Sequence, residues 1–213
     1  MRVEIVNVYT SPAKADLVRQ FLALRRDIFV EEKCWSLNVF EGLEWEQYDY
    51  FPLAHYVLAI EDGEVVGGAR LIRCDAQIGA GSFSYSYMIK DACLGKIALP
   101  RDLCTGSPPE DDWTWELTRL VAAGGNRAVA RAVLEAANHF LVDQGARRCL
   151  FLGPPAFMRM ARSMGFAPEP MGPSRSNRDG TFIAFACACI QVGRSTTVPT
   201  HLGGTDAVQM MVH

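Results

Sequence analysis

Residues 111–125 read DDWTWELTRLVAAGG. Trp113, Trp115, Leu117, Leu120 and Val121 mark a buried strand, and Gly124-Gly125 ends it. Asn126 opens an amphipathic helix over 126–144, with Val129, Ala132, Val133, Ala136, Ala137, Phe140 and Leu141 on one side. A short strand over 148–152 follows, so this stretch starts a βαβ unit. Two charges interrupt the strand. Glu116 shares a face with Thr118 and Leu120, whereas Arg119 shares the other with Trp113, Trp115 and Leu117. The two can meet only if the strand bulges, which is one way strands re-aim side chains near active sites.

Outward from this unit, residues 3–9 read as a first strand and 15–30 as a helix, entered through Ser11-Pro12. Residues 34–51 carry turn residues, acids and aromatics without a regular period. A long loop of that kind is often functional. HYVLAIEDGEVVGGARLIRC forms a hairpin: strand 55–60, an Asp62-Gly63 turn and strand 65–73. Residues 75–86 read as a loop, 88–94 as a short helix and 105–112 as a turn-rich connector. After the βαβ unit come a helix from Pro154-Pro155 to about Met164 and a strand over 182–190. The order predicts one α/β domain over residues 1–192, a mixed twisted sheet with flanking helices. Residues 193–213 read as a flexible tail. Acyl-CoA N-acetyltransferases, the GNAT acyltransferases, have this order of elements.

The chain has 213 residues, 49% hydrophobic and 21% charged, with a net charge of −3. That length can bury a substantial core without staples. The charge gives no pull toward nucleic acid or an anionic membrane. No apolar run is long enough to span a bilayer, and the N-terminus does not read as a signal peptide. Seven cysteines show no CxxC pair and no zinc spacing, so they read as reduced core thiols of a cytoplasmic protein without a metal.

The charged positions outside the strand carry both structural and functional readings. Arg25 and Phe29 are four apart on the first helix, and Trp35 is six further on. An arginine there can simply snorkel at a rim. EGLEWEQYDY supplies Glu41, Glu44, Glu46 and Asp49 among Trp45, Tyr48 and Tyr50. It suits either a solvated loop or a cationic, adenine-bearing ligand. Arg70 follows Gly67-Gly68, glycines that permit close approach by backbone or ligand. GGNR at 124–127 reads as a plain turn or as a helix N-terminus able to hold phosphate.

Taken together the set resembles the acyl-homoserine-lactone synthases, the LuxI-type autoinducer synthases of bacterial quorum sensing. Arg25, Phe29 and Trp35 match in LRRDIFVEEKCW; Glu44, Glu46 and Asp49 in EWEQYD; Arg70 in GGARL; Trp115 to Arg119 in WELTR. The resemblance spans about residues 15–190. It departs where Glu46 replaces an aspartate and Thr118 a serine, and where Leu71-Ile72-Arg73 replaces leucine-proline-threonine.

The resemblance implies an acyltransferase. S-adenosylmethionine would be the acceptor, and a thioester on acyl carrier protein or coenzyme A the donor, with no further cofactor. An α-amine titrates at about 7.7–8.0, so a base must free it for attack. Glu116 is implied as that base, through a water. Arg25, Glu46, Asp49, Arg70, Thr118 and Arg119 are implied as the charge network of the S-adenosylmethionine pocket, with Phe29 and Trp35 as its apolar wall. Backbone N–H groups near residues 120–122 would serve the oxyanion. Phe151 stands where makers of 3-oxo signals carry threonine, which with Leu120 implies an acyl pocket for a smaller or flatter group. Arg159 and Arg162 are implied in contact with the acyl carrier, although Arg147 and Arg148 also suit that role, and all four suit a solvated face. Two other readings remain: a coenzyme A-dependent N-acyltransferase acting on another amine, and a catalytically dead sensor.

Overall fold

The computed structural model describes residues 1–191. The expected tail over 193–213 lies outside the described residues. In chain order the strands are β1 (Arg2–Val6), β2 (Val39–Phe40), β3 (Leu43–Glu44), β4 (His55–Glu61), β5 (Glu64–Arg73), β6 (Thr114–Ala122), β7 (Arg148–Gly153), β8 (Glu169–Pro170), β9 (Arg175–Asn177) and β10 (Gly180–Ala188). The α-helices are α1 (Ala15–Arg25), α2 (Met88–Cys93), α3 (Arg127–Asp143) and α4 (Pro155–Ser163).

The main sheet runs β1-β4-β5-β6-β7-β10-β8, with β9 also paired to β10. Its pairs are antiparallel except β6 with β7, the parallel pair of the βαβ unit. The β4–β5 hairpin turns through Asp62 and Gly63, both left-handed as a tight hairpin turn demands. Helix α1 packs on one face of the sheet with Val18, Phe21 and Leu22 buried; α3 packs on the other with Val129, Val133, Ala137 and Leu141. The space at Gly67 and Gly68 is filled by the protein itself. An added Cβ would meet Val129 Cγ1 at 2.4 Å from Gly67, and Phe21 Cε2 at 2.9 Å from Gly68. These glycines therefore let α1 and α3 sit close to β5, and no ligand is needed to explain them.

Three departures from the expected elements position the site. The first helix stays α-helical only to Arg25; Arg26–Glu32 winds as the wider π form. Residues 34–51 are not irregular throughout, because β2 and β3 form a small hairpin that holds the acidic block. Strand β6 carries a bulge: Gly68 pairs with Val121 and Arg70 with Thr118, so Arg119 and Leu120 together face Ala69. Arg119 takes a positive φ of 58° to do so.

Candidate active site

Just before the bulge β6 parts from β7, while it stays paired with β5 on its other side. The β6–β7 ladder ends at the Leu117–Phe151 pair, although β6 continues to Ala122 and β7 to Gly153. A bulge bends and twists its strand, which parts two strands that began parallel. A cavity of about 1400 Å³ opens in the resulting cleft. Its floor is Leu117, Thr118, Arg119 and Leu120 on one side and Leu152 and Gly153 on the other.

The bulge also turns Arg119 toward the acidic block. Six side chains close a ring of alternating charge. Arg25 joins Glu44 through a short contact and joins Asp49 at 2.7 Å. Asp49 meets Arg70 at 3.1 Å, Arg70 donates to Glu46 at 2.6 Å, and Glu46 accepts from Arg119 at 2.6 Å. Arg119 returns to Glu44 at 3.3 Å. Three guanidiniums balance three carboxylates, so the buried ring carries no net charge. That balance, with bidentate geometry at Arg25–Asp49, is what makes burying charge tolerable. Tyr56 donates to Asp49 at 3.2 Å and Thr118 accepts from Arg70 at 3.0 Å.

Arg25, Asp49 and Arg70 lie behind the cavity wall, whereas Glu44, Glu46, Thr118 and Arg119 line it. The hidden half of the ring thus holds the visible half in place. Burial alone would raise the proton affinity of Glu46, but Arg119 and Arg70 overcome it and keep its carboxyl below the usual range. Asp49 is likewise held down, its burial outweighed by Arg25 and Arg70. Phe29 and Trp35 stack at 4.9 Å with ring planes 3° apart and line the same cavity, with Lys33 over both rings.

Glu116 stands apart from this ring. It is 1% exposed and does not line the cavity. Its two oxygens accept the backbone N–H groups of Met88 and Ile89, each at 2.8 Å, at the first turn of α2. The bulge therefore does not bring Glu116 and Arg119 together; parity separates them as the strand pattern implied. Burial pushes the Glu116 carboxyl up to about 7, against the lowering effect of the Ile89 and Met88 N–H donors.

The remaining candidates are divided. Leu120 and Arg159 line the cavity; Arg162 is exposed outside it. Phe151 does not reach the cavity wall, because Phe157 lies between. Arg148 is engaged by Thr114 and Asp111, and Arg147 lies over Trp113. Of the ring, Glu44 stood in the matched acidic block but not among the expected pocket residues, although its place two before Glu46 was a usable signal. Tyr56 and the α2 N–H groups had no local signal, since they meet the site only through pairing across the fold. No group of His, Cys, Asp and Glu among the described residues is arranged to hold a metal.

A sheet split at one parallel pair, with a charged, aromatic-walled cavity in the split, is the N-acetyltransferase architecture. A solved putative N-acetyltransferase from Lactobacillus plantarum overlays with a TM-score of 0.57 at 14% identity, covering 89% of this chain and all of that one, 100%. The family profile described as Autoinducer synthase matches residues 9–91. An acyl-homoserine-lactone synthase from Acinetobacter nosocomialis is 30% identical over 182 residues, 80% of this chain and 90% of that protein. The chain belongs to the acyl-homoserine-lactone synthase family. A solved CoA-dependent member, BjaI, with SAM and isopentyl-CoA, has a TM-score of 0.74 at 23% identity, covering 89% of this chain and 83% of that one.

Proposed function

We propose that the protein transfers an acyl group from a thioester to the α-amine of S-adenosylmethionine, then closes the lactone and releases methylthioadenosine. The observation that carries this reading is the charge ring at the mouth of the β6–β7 cleft. Its cavity-facing members, Glu44, Glu46 and Arg119, offer carboxylates to the ammonium and sulfonium and a guanidinium to the carboxylate of the substrate. Phe29 and Trp35 offer flat apolar faces to the adenine or the sulfonium methyl. Arg25, Asp49 and Arg70 are positioning residues behind them.

The amine must lose a proton before it attacks. Glu46 is a poor base, since its paired guanidiniums stabilise its ionised form. Glu116, with a carboxyl near 7, matches the task. It lies behind Met88, so the proton passes by way of a water and not by direct contact. The tetrahedral oxyanion would take backbone N–H groups of β6 near Leu120–Ala122, where β7 no longer pairs. Lactone closure is intramolecular and needs chiefly positioning. Thiol and thioether are both adequate leaving groups, so the chemistry requires no cofactor.

Coenzyme A and acyl carrier protein are both suitable donors, and Arg159 at the cavity is placed to meet the phosphate arm of either. Seven free cysteines suit a reducing compartment, and we assign the reaction to the cytoplasm. Among the described residues no helix is long and apolar enough to cross a membrane. Mass spectrometry of ethyl-acetate extracts from cells expressing the protein should show an N-acyl-homoserine lactone. Assays with purified protein and each donor class should show methylthioadenosine released in equal amount. Acylation of another amine with no lactone from any donor would overturn the reading.

A further inference from the structure

The floor of the cleft does not end in solid core. A second void of about 30 Å³ lies beyond it, walled by Leu134, Ala137, Leu141, Cys149 and Phe151. Leu117, Phe157 and Met164 line both spaces, so they form the partition between them. Leu117 is fixed by the β6 ladder, opposite Phe151. Phe157 is the bulky, side-chain part of the partition. It meets Phe151 edge-on at 5.4 Å and Phe185 edge-on at 5.5 Å, while Phe151 and Phe185 stack at 5.0 Å.

Gly153 supports the same assignment from the opposite side. A Cβ there would lie 2.9 Å from Phe157 Cδ1, so the missing side chain is what lets the ring lie against the end of β7. The cleft therefore has an aromatic stop with unused apolar space behind it.

We propose that Phe157 sets the length of the acyl group, acting as the wall against which the acyl terminus rests and committing the enzyme to short acyl thioesters. This rests on the synthase reading above, in which the acyl chain enters between β6 and β7. Shortening Phe157 joins the second void to the cleft and gives a longer chain apolar surface to bury.

The test compares wild type, Phe157→Ala and Phe157→Leu on saturated straight-chain donors from butanoyl to dodecanoyl, on both coenzyme A and acyl carrier protein. Each methylene newly buried is worth about fourfold in kcat/KM. Phe157→Ala should therefore gain about fourfold per added methylene on donors longer than the wild-type optimum. Phe157→Leu, which preserves apolar packing if the alanine variant folds poorly, should move the same way by less. The KM for S-adenosylmethionine should not follow the chain-length change. Lactone from all three proteins with one unchanged chain-length profile would overturn the inference alone, as would a wild type that prefers decanoyl or dodecanoyl donors. Absence of lactone from every donor with every protein would overturn the synthase reading and this inference with it.

Discussion

Glu116 and Glu46 sit on either side of one wall, and their surroundings drive their proton affinities apart. Glu46 has two guanidiniums within 2.6 Å; Glu116 has burial and two backbone N–H groups. Separated affinities of this kind assign roles to paired acids. Glu116→Gln should lower kcat by about 10²–10⁴ and remove the limb of the pH–rate profile near pH 7, leaving the limb of the substrate amine. Retention of full turnover and of that limb would exclude Glu116 as the base. Stability tests the same residue. Its carboxyl is higher in the folded state than the ordinary value of 4.5, so its contribution is full below that value and is lost as pH rises through about 7. Urea melts should show wild type losing roughly 3 kcal/mol relative to Glu116→Gln across that window. Asp49 has the opposite sign: its lowered carboxyl contributes above the ordinary aspartate range and loses that contribution as pH falls. Arg25→Met leaves Glu44 and Asp49 buried without their shared cation. It should cost about 3–5 kcal/mol by urea denaturation, beyond its effect on activity.

At the scale of elements, the first turn of α2 and the bulge of β6 each have a separable test. Met88 is the first residue of α2, where proline is tolerated, and Tyr87 before it is extended at φ −136° and ψ 162°, as a residue preceding proline should be. Met88→Pro should keep the helix but remove one N–H donor from the ionised Glu116. The rate limb near pH 7 should then move to higher pH, because a bond to the charged form has been lost. The bulge requires Arg119 in the left-handed region. Arg119→Gly should be more stable than Arg119→Ala by about 1 kcal/mol in thermal or urea melts, although both lose affinity for S-adenosylmethionine. An ordinary residue at an ordinary strand position would show the reverse order. These elements also mark what the sequence could convey. The Asp62-Gly63 turn, the apolar run of β4 and the period of α3 were legible because each arises from neighbours in the chain. The bulge was not, since it depends on which residue of β5 pairs with which of β6. The π turns after Arg25 were hidden as well: apolar spacing through Phe29 reads equally as a continued α-helix.

For the whole molecule, the pocket is lined by Phe29 after α1, the β3 loop, β6, the end of β7 and α4, so a ligand there ties both halves of the described chain together. S-adenosylmethionine at a hundred times its dissociation constant should stabilise the protein by about 2.7 kcal/mol and raise the melting temperature accordingly. Methylthioadenosine, lacking the amine and carboxylate, should do less at the same concentration. The sequence by itself conveyed the succession of the main strands and helices, the N-acetyltransferase architecture and, through the family resemblance, Arg25, Phe29, Trp35, Glu46, Asp49, Arg70, Thr118 and Arg119 as candidates for one site. It did so because periodicity, turn chemistry and motif spacing are properties of the chain. Only the tertiary structure decided that the charges close into a neutral ring, that Glu116 lies behind the wall on the α2 N–H groups, and that Phe157 rather than Phe151 meets the cleft. Each of those depends on register and packing between segments far apart in sequence. In DDWTWELTRLVAAGG both charges are visible; the pairing with β5, which sets Arg119 and Leu120 together against Ala69, is what sets where Arg119 points.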